Sequence, residues 1–361
     1  LSFALKRREE SVSKDDILAQ RRPVTIKDVA RLAGVSPKTV SNVVNNRPVV
    51  KPATRQRVLD AIRALDYHPS ALARGMVTRS RRLIGLVLAD ITNPAYPEMV
   101  EGVASLARQA GFMVMLCNTG RDPDEEQRYV HLLIEQRVDG VIIASSRMDS
   151  QAAEMLTSAG IKVVLFNRHP QQYSVSFVGV DNEGGGYLAT RHLLDLGHRR
   201  IAFIRGTRGA STSIEREQGY RRALAEYGIE PDPELIGWGD YHPEVARTAA
   251  DLLLRMKNRP TAVFAANDVM ALSVIDAATS LGLRVPEDLA VMGFDDIAIA
   301  SHRLIGLSTI HGDLGQLSRE ATTLLLEAIN GNLTEPVRKI LPVYLVVRRT
   351  CGAQRLTAIH E

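Results

Sequence analysis

Cysteine is nearly absent. Cys117 and Cys351 are the only two in 361 residues, far apart and without disulfide or metal-ligand spacing. That excludes a disulfide-stapled scaffold and a cysteine-built metal site, and it fits a reducing cytoplasm. Long apolar runs are missing as well. None approaches the ~18–20 residues that a membrane-spanning helix needs, so no membrane partner is expected. Leu1 to Arg8 carry neither the apolar stretch nor the small-residue cleavage site of a secretory leader. The nine histidines form no HExxH-type metal set, and no Gly-x-Ser-x-Gly nucleophile elbow occurs. The triplet Gly184–Gly186 lacks the glycine spacing of a dinucleotide fingerprint and the Lys-Ser/Thr pair of a phosphate-binding loop, and reads instead as the opening of a helix. The carboxylate pairs Asp295-Asp296 and Glu125-Glu126 are neighbours in sequence, a spacing that rarely turns two side chains toward each other. Neither an enzyme nor a cofactor is expected.

What is present is unevenly charged. Residues 1–82 hold 18 Lys and Arg against 7 Asp and Glu, a net +11, and the remainder carries a net −7. A basic head on an acidic body is the asymmetry expected when one end of a protein meets a polyanion. With 45% hydrophobic and 24% charged residues the whole has the composition of a globular protein. Residues 1–22, with KRREE and KDD, read as a flexible N-terminal extension. Residues 23–68 are patterned and helical, 69–82 form a connecting segment, 83–352 form a large body, and 353–361 a short tail.

In the head, Thr25 is a candidate cap for a helix with Ile26, Val29, Ala30 and Ala33 on one face. Gly34 stops that helix. Ser36 caps a second helix with Pro37 at its first position, where a missing N–H costs nothing, and Val40, Val43 and Val44 form its apolar side. A third helix follows Pro52 and Thr54, with Val58, Ile62 and Leu65 inward. Two short helices joined by a glycine-containing turn are a helix-turn-helix, whose second helix enters the major groove. Pro37, Lys38, Ser41 and Asn42 occupy the polar face of that helix. Lys38 suits guanine O6 or N7 and Asn42 suits adenine. Lys27, Thr39, Asn45, Thr54 and Arg55 are candidate phosphate contacts, and the cap residues Thr25 and Ser36 complete the DNA-facing set.

From Leu83 onward, short apolar runs alternate many times with stretches of helical period. Leu83–Leu88, Val163–Phe166, Ile201–Ile204 and Ala262–Ala265 are examples of the former, and Glu125–Gln136 and Val269–Leu281 of the latter. That alternation implies parallel sheets covered by helices, and about 270 residues exceed one comfortable core, so two lobes are expected. Ligands of such sheets sit beyond the carboxyl ends of the strands. The polar residues there are Asp90, Asn93, Asn118, Asn167-Arg168, Asp181-Asn182, Arg205, Asn267-Asp268 and Asp295-Asp296. Forked donors and paired acceptors suit vicinal hydroxyls, and Tyr96 and Tyr241 suit the apolar face of a sugar ring.

The segment Thr25-Ile-Lys-Asp-Val-Ala-Arg-Leu-Ala-Gly-Val-Ser-Pro-Lys-Thr-Val-Ser-Asn-Val-Val-Asn45 resembles the N-terminal signature of the lactose/galactose repressor (LacI/GalR) family. The likeness continues through Thr54-Arg55 and Tyr67-His-Pro-Ser-Ala-Leu-Ala-Arg74 and along the body to about Arg349. The resemblance implies an all-α helix-turn-helix head on an α/β two-lobed body of the type I periplasmic-binding-protein kind. It implies a hinge helix over residues 69–76 that forms on operator DNA, with Ser70 and Arg74 among the DNA contacts. Met76 takes the minor-groove wedge position, usually leucine. In the body, Asn93-Pro-Ala-Tyr96 resembles a sugar-touching loop, and Asn167-Arg168 stands where Asp-Arg is common. Arg216 resembles the second-lobe arginine and Tyr241 a ring-stacking aromatic. Asn267 and Asp295 are the members of their motifs expected to point inward, whereas Asp181, Asp268 and Asp296 read as caps or loop bonds. The expected protein is thus a cytoplasmic, nucleoid-associated homodimeric repressor on palindromic operator DNA, controlled by a small molecule of carbohydrate type. The alternative is the solute-binding module of a transport system, which would share the body alone.

Overall fold

The structure is a computed structural model that describes residues 24–45, 47–67 and 80–353. The N-terminal extension, the hinge segment 69–79 with Ser70, Arg74 and Met76, and the tail from 354 onward lie outside the described residues. The chain divides into two compact units, Leu1–Arg81 and Arg82–Glu361.

The first unit holds α1 (Ile26–Ala33), α2 (Pro37–Val44) and α3 (Pro52–Ala64). Thr25 opens α1, and its backbone N and its hydroxyl both donate to Asp28 Oδ2, at 3.0 and 2.7 Å. Gly34 ends the helix in the left-handed region at φ 64°, which glycine adopts without a Cβ clash. Ser36 Oγ then accepts from Thr39 N at 3.1 Å to start α2 behind Pro37. Val29, Ala33, Val40, Val43, Val58, Ala61 and Leu65 make the buried core. None of these helices covers its apolar face alone, so the three fold as one unit.

The second unit begins with β1 (Leu83–Leu88), α4 (Ala95–Gln109), β2 (Met113–Asn118), α5 (Pro123–Glu135), β3 (Gly140–Ile143), α6 (Ala152–Ser158), β4 (Lys162–Phe166) and β5 (Ser176–Val180). It continues with α7 (Asn182–Asp195), β6 (Ile201–Arg205), α8 (Ser211–Glu226), β7 (Ile236–Trp238), α9 (Pro243–Leu254), β8 (Ala262–Ala265), α10 (Asp268–Ser280) and β9 (Ala290–Met292). It closes with β10 (Thr309–His311), α11 (Leu314–Ile329), β11 (Arg338–Leu341) and β12 (Tyr344–Val346). The first lobe is a parallel sheet in the order β11-β5-β4-β3-β1-β2, and the second a parallel sheet β7-β6-β8-β9 with the antiparallel pair β10-β12 beside it. The chain passes between lobes after β5, before α11 and after β11, so neither lobe is a continuous stretch of sequence.

The alternation read from the sequence corresponds to these parallel strands and helices. The three-residue strands β7, β10 and β12 escaped that reading because so short a segment shows no period. The edge strand β11 escaped it because alternating exposure leaves it no apolar run.

One packing contact fixes the second lobe. The glycine triplet does open a helix, α7, with Asp181 Oδ1 accepting from Gly184 N at 2.8 Å. A Cβ on Gly186 would stand 2.2 Å from the carbonyl oxygen of Arg216, and one on Gly219 would stand 2.1 Å from that of Glu183. The backbones of α7 and α8 therefore touch at a separation that any side chain would forbid. Gly186→Ala should lower stability by about 1–3 kcal/mol through forced backbone shift. Urea unfolding measures it, and an unchanged midpoint would show that the two helices separate without cost.

Candidate functional site

Two surfaces collect the candidate residues. On the head, Lys27, Ser36, Pro37 and Lys38 are exposed, and Thr39, Ser41 and Asn42 are half-buried along the outer side of α2. Thr25 is exposed, but its hydroxyl is committed to Asp28. Asn45 is committed as well, since its Nδ2 donates to the Ser41 carbonyl at 2.8 Å. Arg55 Nη2 donates to the Arg47 carbonyl at 2.9 Å, tying α3 to the loop after α2, and Thr54 lies half-buried one residue before it.

On the body, Asn93, Tyr96, Asn167, Arg168, Arg216, Tyr241, Asn267 and Asp295 all line one cavity between the lobes. Seven of them stand in the loops beyond strand ends or in a first helical turn, and Arg216 stands in the second turn of α8. Asn93 Oδ1 caps its own turn by accepting from Ala95 N at 3.1 Å. Asn167 Oδ1 faces Val180 N and Asn182 Nδ2, both at 3.4 Å.

Arg216 is the buried centre. Its Nε donates to Asn182 Oδ1 at 3.0 Å and its Nη1 to the Ala266 carbonyl at 2.5 Å. The same guanidinium lies over the Phe294 ring at 3.5 Å and 3.5 Å from Asp295 Oδ1. Across the cavity, the Arg168 guanidinium lies over the Tyr241 ring at 5.3 Å, and the Tyr241 hydroxyl meets Thr212 Oγ1 at 3.1 Å.

Asn267 has a divided amide. Its Oδ1 accepts from Met270 N at 3.0 Å as the cap of α10, which leaves Nδ2 buried without a partner among the described residues. A buried donor left unpaired is costly unless something else accepts from it. Burial pushes the Asp295 carboxyl up to about 6, against the pull of Arg216 and Arg168. Burial likewise holds the Tyr96 hydroxyl above its ordinary value.

Other strand-end residues serve the frame. Asp268 is fully buried, accepting from Ile297 N at 2.9 Å and from Thr309 Oγ1 at 2.5 Å. Asp296 pairs with Arg348 at 2.7 Å and faces His311 Nδ1 at 3.1 Å. Asp90 bonds Thr92 and Arg121. The sequence reading passed over Phe166, Thr212, Ala144 and Leu314 in the lining. Thr212 stands four residues before Arg216, and that helical spacing was the available signal.

The lobes also touch outside the lining. Met148 N donates to the Gly209 carbonyl at 2.7 Å, Arg121 Nη1 to the Asp240 carbonyl at 3.2 Å, and His169 N to Ser211 Oγ at 3.2 Å. Among the described residues no helix is long and apolar enough to cross a membrane, and no group of three or more His, Cys, Asp or Glu is placed to hold a metal.

Asp268 gives a pH test of the frame. Burial first, then Asp295, raises its carboxyl well above the usual range. A carboxyl raised in the fold favours the neutral form. Stability is therefore greatest below the unfolded value of ~3.9 and falls as pH climbs from there toward the folded value. Asn at this position can accept from Ile297 N and donate to Thr309. Asp268→Asn should therefore gain stability relative to the parent chain as pH rises from about 4 toward neutrality. Urea unfolding across that range checks it, and a difference independent of pH would mean the buried carboxyl is ionised.

Residues 25–70 match the bacterial regulatory proteins of the lacI family, and residues 190–351 match the periplasmic binding protein-like domain. The HTH-type transcriptional repressor PurR of Vibrio atlanticus (strain LGP32) is 39% identical over 306 residues, covering 84% of this chain and 92% of that protein. The solved complex of the transcriptional regulator CelR with cellobiose is 38% identical, with a TM-score of 0.70 over 91% of this chain and 100% of that one. The lac repressor dimer bound to operator and the anti-inducer ONPF is 31% identical, with a TM-score of 0.83 over 92% of this chain and 100% of that one. The helix-turn-helix head, the two-lobed α/β body and these full-length likenesses together show that the chain belongs to the lacI family of bacterial regulatory proteins, as a DNA-binding transcriptional repressor rather than an enzyme.

Proposed function

We propose that this repressor binds a palindromic operator as a homodimer and responds to a sugar held between its lobes. The observation that carries the sugar reading is the leftover hydrogen-bonding capacity of the cavity. Among the described residues Asn267 Nδ2 is an unpaired buried donor and the Arg168 guanidinium makes no hydrogen bond, while Asp295 offers a buried acceptor. A hydroxyl both donates and accepts, so a ring of hydroxyls satisfies all three. Tyr96 and Tyr241 supply flat apolar faces for its C–H side. Asn93 and Asn167 add amide groups at the cavity wall, and Arg216 is held by the frame with its edge toward the ligand. The cellobiose complex of CelR supports the same ligand class. A solute-binding module would leave the head without a role.

In the head, Lys38 and Asn42 read base edges from α2, with Lys27, Thr39 and Arg55 toward phosphates. Ser70, Arg74 and Met76 extend the contact through the hinge. The dimer is supported by the edge strand β2, where Met113 and Leu116 are 73% and 44% exposed. An apolar unpaired edge is a surface that self-association covers. The repressor works in the cytoplasm at the nucleoid. A ligand that contacts both lobes shifts the population toward closure by its differential contacts alone, and closure is what the heads would sense.

Two outcomes are expected. First, Lys38→Ala and Asn42→Ala should each cost about 1–3 kcal/mol on the selected operator and relax preference at one base pair. Selection from random DNA followed by binding titrations measures this, and equal loss on all sequences would remove the base-reading role. Second, affinity for the sugar found by thermal-shift screening of cellobiose, ribose and related sugars should fall as pH drops through about 6, where Asp295 protonates and loses acceptor capacity. Asp295→Ala should cost about 2–5 kcal/mol of that binding. Calorimetry decides it, and unchanged affinity in the variant would place the ligand elsewhere.

A further inference from the structure

His169 joins the two lobes beside the ligand cavity without lining it. It follows β4 in the first lobe, and its ring Nε2 stands 3.0 Å from Glu215 Oε1 on α8 of the second. The other ring nitrogen, Nδ1, stands 2.8 Å from the carbonyl oxygen of Pro170. Both ring nitrogens therefore face oxygen acceptors. Neutral imidazole carries a single N–H and leaves one acceptor facing a lone pair, whereas imidazolium donates to both. The His169 side chain is only 15% exposed, with Phe177 edge-on at 5.0 Å and Tyr173 at 5.2 Å. That apolar wall limits water and strengthens the pair.

We propose that His169 and Glu215 form a proton-dependent clasp that holds the lobes closed. The imidazolium ring ties the loop after β4 to the first turns of α8, and loss of its proton removes one of the two donors. The charged and titratable groups around the ring are Glu215 on α8, Arg338 on β11 and Tyr173 in the loop before β5. Arg338 opposes the proton, as does burial, but the Glu215 bond outweighs them and raises the ring above its ordinary value. In an open arrangement the ring loses Glu215 and returns toward ~6.5. Closure and protonation are then linked, each favouring the other by the same factor. A clasp of this kind makes the response to any closure-promoting ligand stronger near neutral pH than in alkali, a window above the one in which Asp295 protonates. It stands on the interlobe contact and needs no particular ligand.

The amide of Met148, which donates across the cleft to Gly209, is a built-in reporter of closure. Hydrogen exchange of the full, ligand-free chain is followed in peptides covering 145–150 and 206–214 at about pH 6 and about pH 8, corrected for intrinsic rates. The parent chain should lose protection there by roughly fivefold or more on going to the higher pH. His169→Gln and Glu215→Gln should be poorly protected at both. His169→Arg, which keeps a permanent charge opposite Glu215, should be protected at both. Protection independent of pH in the parent chain would overturn the clasp. So would equal loss in the Gln and Arg variants. Should a variant fail to fold, a nitrogen-15 NMR titration of the parent chain decides, with the ring identified by its contacts to Tyr173 and Phe177. A His169 midpoint above the ordinary histidine value supports the clasp, and one at or below that value overturns it.

Discussion

The carbonyl oxygen of Arg216 leaves no room for a Cβ on Gly186, and that exclusion sets how closely α8 lies on α7. The consequence reaches the cavity. With α8 seated this deeply, the Arg216 side chain emerges beneath the ends of β8 and β9, where Asn182, the Ala266 carbonyl and the Phe294 ring hold it. A buried guanidinium is tolerable only when its donors are met, and here two are met by the frame before any ligand enters. The arginine is therefore pre-organised, and the ordering entropy of its long side chain is lost during folding rather than at binding.

The cavity wall is strained where it is chemically useful. Asn167, Tyr241 and Asp295 have positive φ of 55°, 53° and 116°. For residues with a Cβ such conformations cost of order 1–3 kcal/mol each. Gly206 permits the turn at Tyr241, since a Cβ there would stand 2.1 Å from the tyrosine ring. Asp295 is held by a backbone bond to Ile310 at 2.9 Å. The strain aims three side chains into one volume, and the strands on either side supply the rigidity that maintains it.

The carboxylates divide by what surrounds them. Asp268 and Asp295 lie near each other, and both are raised by burial. Asp268 has its bonds filled by Ile297 and Thr309, which keeps it within the frame. Asp295 has only arginines, which keeps it open to a ligand. Asp296, the next residue, turns the other way toward Arg348 and His311. Adjacent carboxylates thus serve different ends, at a turn beyond β9 where both residues have positive φ, 116° and 58°.

The sequence by itself determined the local structure and the class. Capping residues, Gly34 and valine spacing are local signals that specify α1 and α2, and a long motif shared with a family identified the head. Alternating apolar and amphipathic runs specified parallel α/β lobes, because burial on both faces of a strand leaves a readable run. Candidate cavity residues were legible because strand ends are where such sheets expose polar groups. Only the tertiary structure decided which of those residues converge. Asn93 and Asp295 are some two hundred positions apart, and the chain crosses between lobes twice before the last lining residue, Leu314, is in place. The division of Asn267 between cap and cavity, the burial that raises Asp295, and the reach of His169 to Glu215 depend on distances set by packing. A linear pattern carries no record of them.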